Sequence, residues 1–208
     1  MRRNKSVSRT TLTTVIMATL LATTATAHAD APKAGAMVDA KYVEIQQIIA
    51  TDKDDRSVRA KIVKVLGSFT DFREFGRLTI KKHWPNLTPA QRDLFVERYR
   101  LLIHKSYVKH FKANQKLVVS RRGEPEFRKG KARVKTTVKS GDTEAYVDYK
   151  LHLKDGGFMA YDIVIDDVSL MRNYRKQFGR ILNKDGFEKL IEKIDAKINK
   201  PEDDDDSL

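Results

Sequence analysis

Asp162, Asp166 and Asp167 crowd one short stretch of the chain. Carboxylates held a few ångströms apart can share acid and base duties in hydrolysis. Their setting points elsewhere: Asp162 alternates with apolar residues, and Asp166-Asp167 has the composition of a turn. Four histidines could ligate a metal, namely His83, His104, His110 and His152. None has a zinc-protease spacing, and His104 and His110 have no carboxylate close in sequence. No Gly-x-Ser-x-Gly elbow and no phosphate-binding Gly-Lys-Ser/Thr loop occurs. The chain has no cysteine, so thiol chemistry, disulfides and acylation at a lipobox are ruled out. Tyr146 and Phe158 beside basic residues could stack nucleic-acid bases, but the aromatics alternate with acids as often as with bases. The sequence therefore names no catalytic residue, no metal ligand and no cofactor.

The elements that would carry these residues are legible from periodicity. Around Asp162, the residues Met159, Tyr161, Ile163 and Ile165 alternate with Ala160, Asp162 and Val164, which predicts a strand with one strongly apolar face. Beyond Asp167 the period changes. Val168, Met171, Tyr174, Arg175 and Phe178 recur at three or four residues, the spacing of one helix face. Upstream, Ala145, Val147, Tyr149, Leu151 and Leu153 alternate, as do Ala132, Val134, Thr136 and Val138; a short strand is expected at 116–120. Gly141-Asp142 and Asp155-Gly156-Gly157 are turns, so the strands form an antiparallel meander.

Helices flank this sheet. Val38, Tyr42, Ile45 and Ile49 mark one at 36–51, after a flexible entry at 31–35. Val58, Ile62 and Val65 mark a second. Asp71 caps a short third, with Phe72, Phe75 and Leu78 on one face. Thr88-Pro89-Ala90-Gln91 carries a cap, a first-turn proline and a residue that can reach back to the cap. The helix it launches should run to about 112, apolar over more than half its circumference through Phe95, Tyr99, Leu102, Ile103, Tyr107 and Phe111. Residues 179–186 should break the last helical region, and Phe187, Leu190, Ile191, Ile194 and Ile198 continue it. The order helices, sheet, helices predicts an α+β fold: helices over an antiparallel sheet of about four or five strands.

The 208 residues suffice for one domain with a sizeable core. Arg2, Arg3, Lys5 and Arg9 precede an uncharged apolar run, and Ala27-His28-Ala29 offers a cleavage site, so residues 1–29 read as a secretory signal. Residues 30–200 form the domain, and 201–208 an acidic tail that should stay solvated. The formal charge is +13, of which the signal supplies four, leaving about +9. Such a balance suits anionic partners, and export argues against nucleic acid.

The stretch from Gly157 to Phe178 resembles the signature of the MlaC, or toluene-tolerance auxiliary, family. Three further segments support the resemblance in order: Phe69-Thr70-Asp71-Phe72 with Arg77 and His83-Trp84, the Thr88-Pro89-Ala90-Gln91 helix, and Val147-Asp148-Tyr149. Phe158 stands where the family usually has Trp, and Asp167 where Gly is frequent. The resemblance implies a curved sheet wrapped by helices around a deep apolar cavity. It implies a periplasmic, monomeric, non-enzymatic carrier of diacyl phospholipid, serving an inner-membrane ABC transporter and an outer-membrane lipoprotein complex and so maintaining outer-membrane lipid asymmetry. On that basis Val147, Tyr149, Leu151, Tyr161, Ile163 and Ile165 are candidates for one cavity wall. Phe72, Phe75, Leu102, Tyr107 and Phe111, with Val168, Met171 and Tyr174, are candidates for the other. Two alternatives stand beside this reading: an adaptor with a filled core, and a periplasmic hydrolase on a similar fold.

Overall fold

A computed structural model of the protein describes residues 22–201. Most of the expected signal segment and the acidic tail from 202 onward lie outside the described residues. Five helices, α1 (Ala22–Thr51), α2 (Asp55–Phe69), α3 (Phe72–Thr79), α4 (Pro89–Val108) and α5 (Leu170–Asn199), pack with six strands. These are β1 (Leu117–Arg121), β2 (Glu126–Arg128), β3 (Lys131–Ser140), β4 (Thr143–Lys154), β5 (Gly157–Ile165) and β6 (Val168–Ser169). All strand pairs are antiparallel, in the order β1-β3-β4-β5-β6, with β2 beside the first residues of β3. The sheet thus has one or two strands more than expected, because β2 and β6 are too short to show alternation.

Local chemistry sets the boundaries. The Thr88 hydroxyl accepts from the Gln91 amide while the Gln91 side chain accepts from the Thr88 amide, a reciprocal cap for α4. Asp71 caps α3 through the Glu74 amide, and Asp54 caps α2 through the Ser57 amide. Asp166 and Asp167 both adopt left-handed φ, 46° and 66°, in the tight turn between β5 and β6; Asp tolerates this better than most residues.

Helix α1 covers the β2 and β3 end of the sheet, while α3 and α5 cover β5. Helix α4 lies behind them against α2, α3 and α5. At the α2–α3 junction, Thr70 bridges to Ala160 and the Asp71 amide donates to the Ala160 carbonyl at 2.8 Å. That junction and β6 together cover the outer edge of β5. Gly76 allows α3 to approach α4: a Cβ there would lie 3.2 Å from the Phe95 ring.

Two expectations are corrected and one, the break at 179–186, is narrowed to its last residue. Residues 31–35 are helical rather than flexible, because Ala34 is fully buried against the sheet and draws α1 backward along the chain. The last helix passes Gly179 without a break and turns only at Gly186, whose φ of 84° no helix accommodates. Val168 belongs to β6, paired with Ile165, rather than to the helix face of Met171 and Tyr174. Among the described residues, no helix is long and apolar enough to cross a membrane.

Candidate functional site

Alternation along β4 turns Val147, Tyr149 and Leu151 toward the helices. Their β3 partners Thr136, Val134 and Ala132 share that face, as do Ile165, Ile163 and Ala160 of β5. The register slips between Lys150 and Leu151, where β5 carries one extra residue, Tyr161. That bulge corrects the expected wall. Tyr161 turns to the outer face, edge-on to His152 at 5.6 Å and beneath the Lys131 ammonium at 5.1 Å. Unbroken alternation from Met159 to Ile165 hides such a slip.

The inward-facing residues gather into separate apolar clusters. Phe72, Phe75, Leu102 and Tyr174 are buried in one, built on α3, α4 and α5, with Tyr107, Met171, Ile163 and Ile165 packed against it. Its centre is a nest of rings in which Tyr99 meets Phe75, Phe95, Tyr174 and Phe178. Tyr149 and Leu151 are buried in a second cluster with Val38, Tyr42 and Phe69, and Val147 and Ile163 pack on it. Phe111 stands apart in a third, between α1, α2 and the end of α4. Val168 is more than half exposed and joins none of the three.

Ile163 touches both the first and the second cluster. Leu66, Val119 and Val138 link the second and third. Each of these bridging residues is only half buried, as are Val147, Ile165, Tyr107 and Met171. These incompletely buried apolar side chains, packed on the clusters from both helical layer and sheet, make up an apolar seam. Sequence reasoning passed over Leu66 because it sits beside the Val58, Ile62 and Val65 stripe rather than on it.

Polar groups along this inner surface are paired. The Tyr42 and Tyr149 hydroxyls lie 2.7 Å apart, and Thr136 donates to the Val147 carbonyl at 2.7 Å. Burial raises the pKa of both phenols, so they stay neutral. His104 differs. It is buried edge-on to Phe72 at 5.3 Å, and its Nε2 finds no hydrogen-bond partner among the described residues. Desolvation, aided by Arg100, lowers its pKa to about 4, so the ring is neutral at pH 7. A cleft of about 780 Å³ between α2 and α4 reaches His104, with Arg56, Arg59, Lys105 and Lys109 along it.

The carboxylates that opened the sequence reading are committed to structure. Asp162 is fully buried and accepts from the Ser169 hydroxyl, the Met171 amide and the Lys150 ammonium at 2.7–3.1 Å. Asp166 accepts from the Tyr146 amide at 2.8 Å. On the outer face, Asp148 is clasped by Arg122 and Arg133. Asp71 is pushed up by burial, but Lys154, the Glu74 amide and His152 more than offset this and hold its carboxyl below the usual range.

The sequence-family model of the MlaC protein matches residues 39–196. No curated protein sequence matches the chain. Among solved structures, a phospholipid-binding protein from Ralstonia solanacearum, determined in complex with a phospholipid, superposes with a TM-score of 0.69. The two are 20% identical, and the match covers 80% of this chain and 97% of that one. At that identity the likeness is one of fold.

Proposed function

The chain belongs to the MlaC family, and on that premise we propose that it is a periplasmic carrier of diacyl phospholipid, not an enzyme. The observation that carries this reading is the apolar seam. Ile163 and Ile165 of the sheet pack on the ring cluster together with Tyr107 and Met171 of the helices, Val147 and Ile163 pack on the sheet cluster, and none of these side chains is fully buried. The phospholipid held by the structural relative adds support.

The energetics of the cargo explain why the seam must be so apolar. Two acyl chains hold roughly 30 methylenes, each worth about 0.8 kcal/mol out of water. A lipid cannot cross an aqueous compartment unaided at a useful rate. The competing site is the bilayer, so the protein must match hydrocarbon and needs only a small margin either way. Direction then comes from partners: an outer-membrane lipoprotein complex at one end and an inner-membrane ABC transporter at the other, with lipid asymmetry as the outcome.

To admit tails, the cluster of α3, α4 and α5 moves away from the sheet along the seam. The left-handed turn at Asp166-Asp167 and the Gly186 kink flank α5 and can absorb that rotation. Phe72, Phe75, Leu102 and Tyr174 then back the helical wall, and Tyr149 and Leu151 the sheet wall. We assign residues 30–200 to the working domain, acting as a monomer. Cleavage after Ala29 would put Pro32 in the first turn of the remaining helix, where a missing amide costs nothing.

The test is direct. The protein is purified from a bacterial envelope, extracted with organic solvent and examined by mass spectrometry. Stoichiometric diacyl phospholipid is expected. A folded protein that yields none overturns the carrier reading and favours the adaptor.

A further inference from the structure

The cleft between α2 and α4 has a chemistry unlike the seam. Its apolar floor is Ala60, Val63 and Val108, and four cations line it: Arg56 and Arg59 from the first turns of α2, Lys105 and Lys109 from the end of α4. Asp54 and Asp55 also lie along it, each accepting from a backbone amide, while Arg59 donates to the Phe111 carbonyl. Asp54 accepts from the Ser57 amide and Asp55 from the Ala113 amide. The cations therefore outnumber the acids two to one.

The chain itself carries the complementary charge. Residues 202–206 are Glu-Asp-Asp-Asp-Asp, five consecutive acids that repel one another unless a basic surface receives them. Their point of departure is fixed beside the cleft. Lys105, a cleft residue, donates its ammonium to the Lys200 carbonyl at 2.6 Å. The acids thus begin two residues beyond a group already held at the cleft.

We propose that the α2–α4 cleft receives this chain's own acidic C-terminal segment, which lies across it as a strap. Reach is sufficient. Packed helices stand about 8–10 Å apart, whereas five extended residues span roughly 17 Å. Tethering favours the intramolecular occupant over a free anion, because a short flexible link gives an effective concentration on the order of millimolar. The arrangement clamps the end of α5 to α4 and shields the basic cleft from other anions. It does not depend on what the apolar seam carries.

The absence of cysteine allows a clean test. Ser207→Cys gives a single thiol for a nitroxide label, and amide signals of the whole protein are followed by NMR. At low salt, broadening is expected at Arg56, Arg59, Lys105 and Lys109. It should vanish near 1 M salt, where the Debye length is about 3 Å. It should also vanish when Asp203, Asp204, Asp205 and Asp206 are all changed to Asn, and weaken in Arg56→Gln/Lys109→Gln. Broadening confined to the last turn of α5, centred on the outer sheet face around Arg133, or unchanged in the Asn variant overturns the proposal. So does a label that leaves these amides sharp while added inorganic phosphate shifts them, which assigns the cleft to a free anion.

Discussion

Changing Ile163 to Glu sets the proposed seam its hardest test. Ile163 packs on both the ring cluster of α3–α5 and the sheet cluster around Tyr149 and Leu151, yet it is only half buried. A side chain so placed would meet an acyl chain that entered between the clusters. Losing its apolar contact with an acyl chain costs about 2 kcal/mol. An unpaired polar group facing hydrocarbon adds about 2 kcal/mol or more. The sum of about 4 kcal/mol is roughly a thousandfold in affinity. Because the lipid's alternative home is a bilayer of nearly equal free energy, such a shift empties the protein. The assay pairs lipid mass spectrometry of purified Ile163→Glu with a urea titration to establish folding, and Ile163→Val as a control that keeps its cargo. Lowering the pH protonates the new carboxyl and should restore part of the binding, which separates charge from shape. A folded Ile163→Glu protein with undiminished lipid refutes the argument, because the side chain then faces no tail.

Three further outcomes are expected. His104 has its folded pKa lowered from 6.5 to about 4, so the unfolded chain binds more protons between those values and stability is lost as pH falls through that window. With water able to enter the cleft beside it, the loss by pH 4 should be about 2 kcal/mol; urea titrations from pH 7 to pH 4 should show this decline, and His104→Phe should flatten it. Asp162→Ala leaves the Met171 amide and Ser169 hydroxyl unpaired and strands Lys150, which can turn to water; a loss of about 3 kcal/mol is expected by urea denaturation, and a variant within about 0.5 kcal/mol of wild type would contradict the role given to that network. Lipid transfer between donor and acceptor proteins should slow as salt rises while equilibrium occupancy holds, because a charge near +9 on the chain without its signal steers encounter rather than tail burial; a flat stopped-flow rate across the salt series would remove electrostatic docking.

What could be read in advance tracks how local its cause is. The Thr88 cap, the α4 stripe and the β3–β4–β5 meander depend on neighbours a few residues apart, and each stood in the sequence. Tyr161 did not, because a bulge leaves the order of apolar and polar residues unchanged and depends on how β4 pairs across to β5. Val168 continued the helical spacing of Met171 and Tyr174, yet the left-handed Asp166-Asp167 turn claims it for a two-residue strand. Gly179 looked like a breaker but sits in a helix that Phe178 and Tyr174 anchor by packing. The division of the core into three clusters had no signal either: periodicity tells which side of an element is apolar, not which other element meets it. His104 drew notice only as a possible metal ligand, since its burial against Phe72 is set by α3.

The bridge from Thr70 to Ala160 bears on solubility. A domain that parts its helices from its sheet bares apolar surface, and a bare strand edge beside such surface is a template for aggregation. Here the edge of β5 stays occupied at both halves, by the Thr70–Asp71 backbone and by β6. Lys154 pins the first of these with a 2.9 Å ion pair to Asp71. If the domain opens along the seam, a pivot at this junction would keep the Ala160 carbonyl and the Val164–Ile165 backbone paired, which leaves neighbouring molecules less of the β5 edge on which to build a shared sheet.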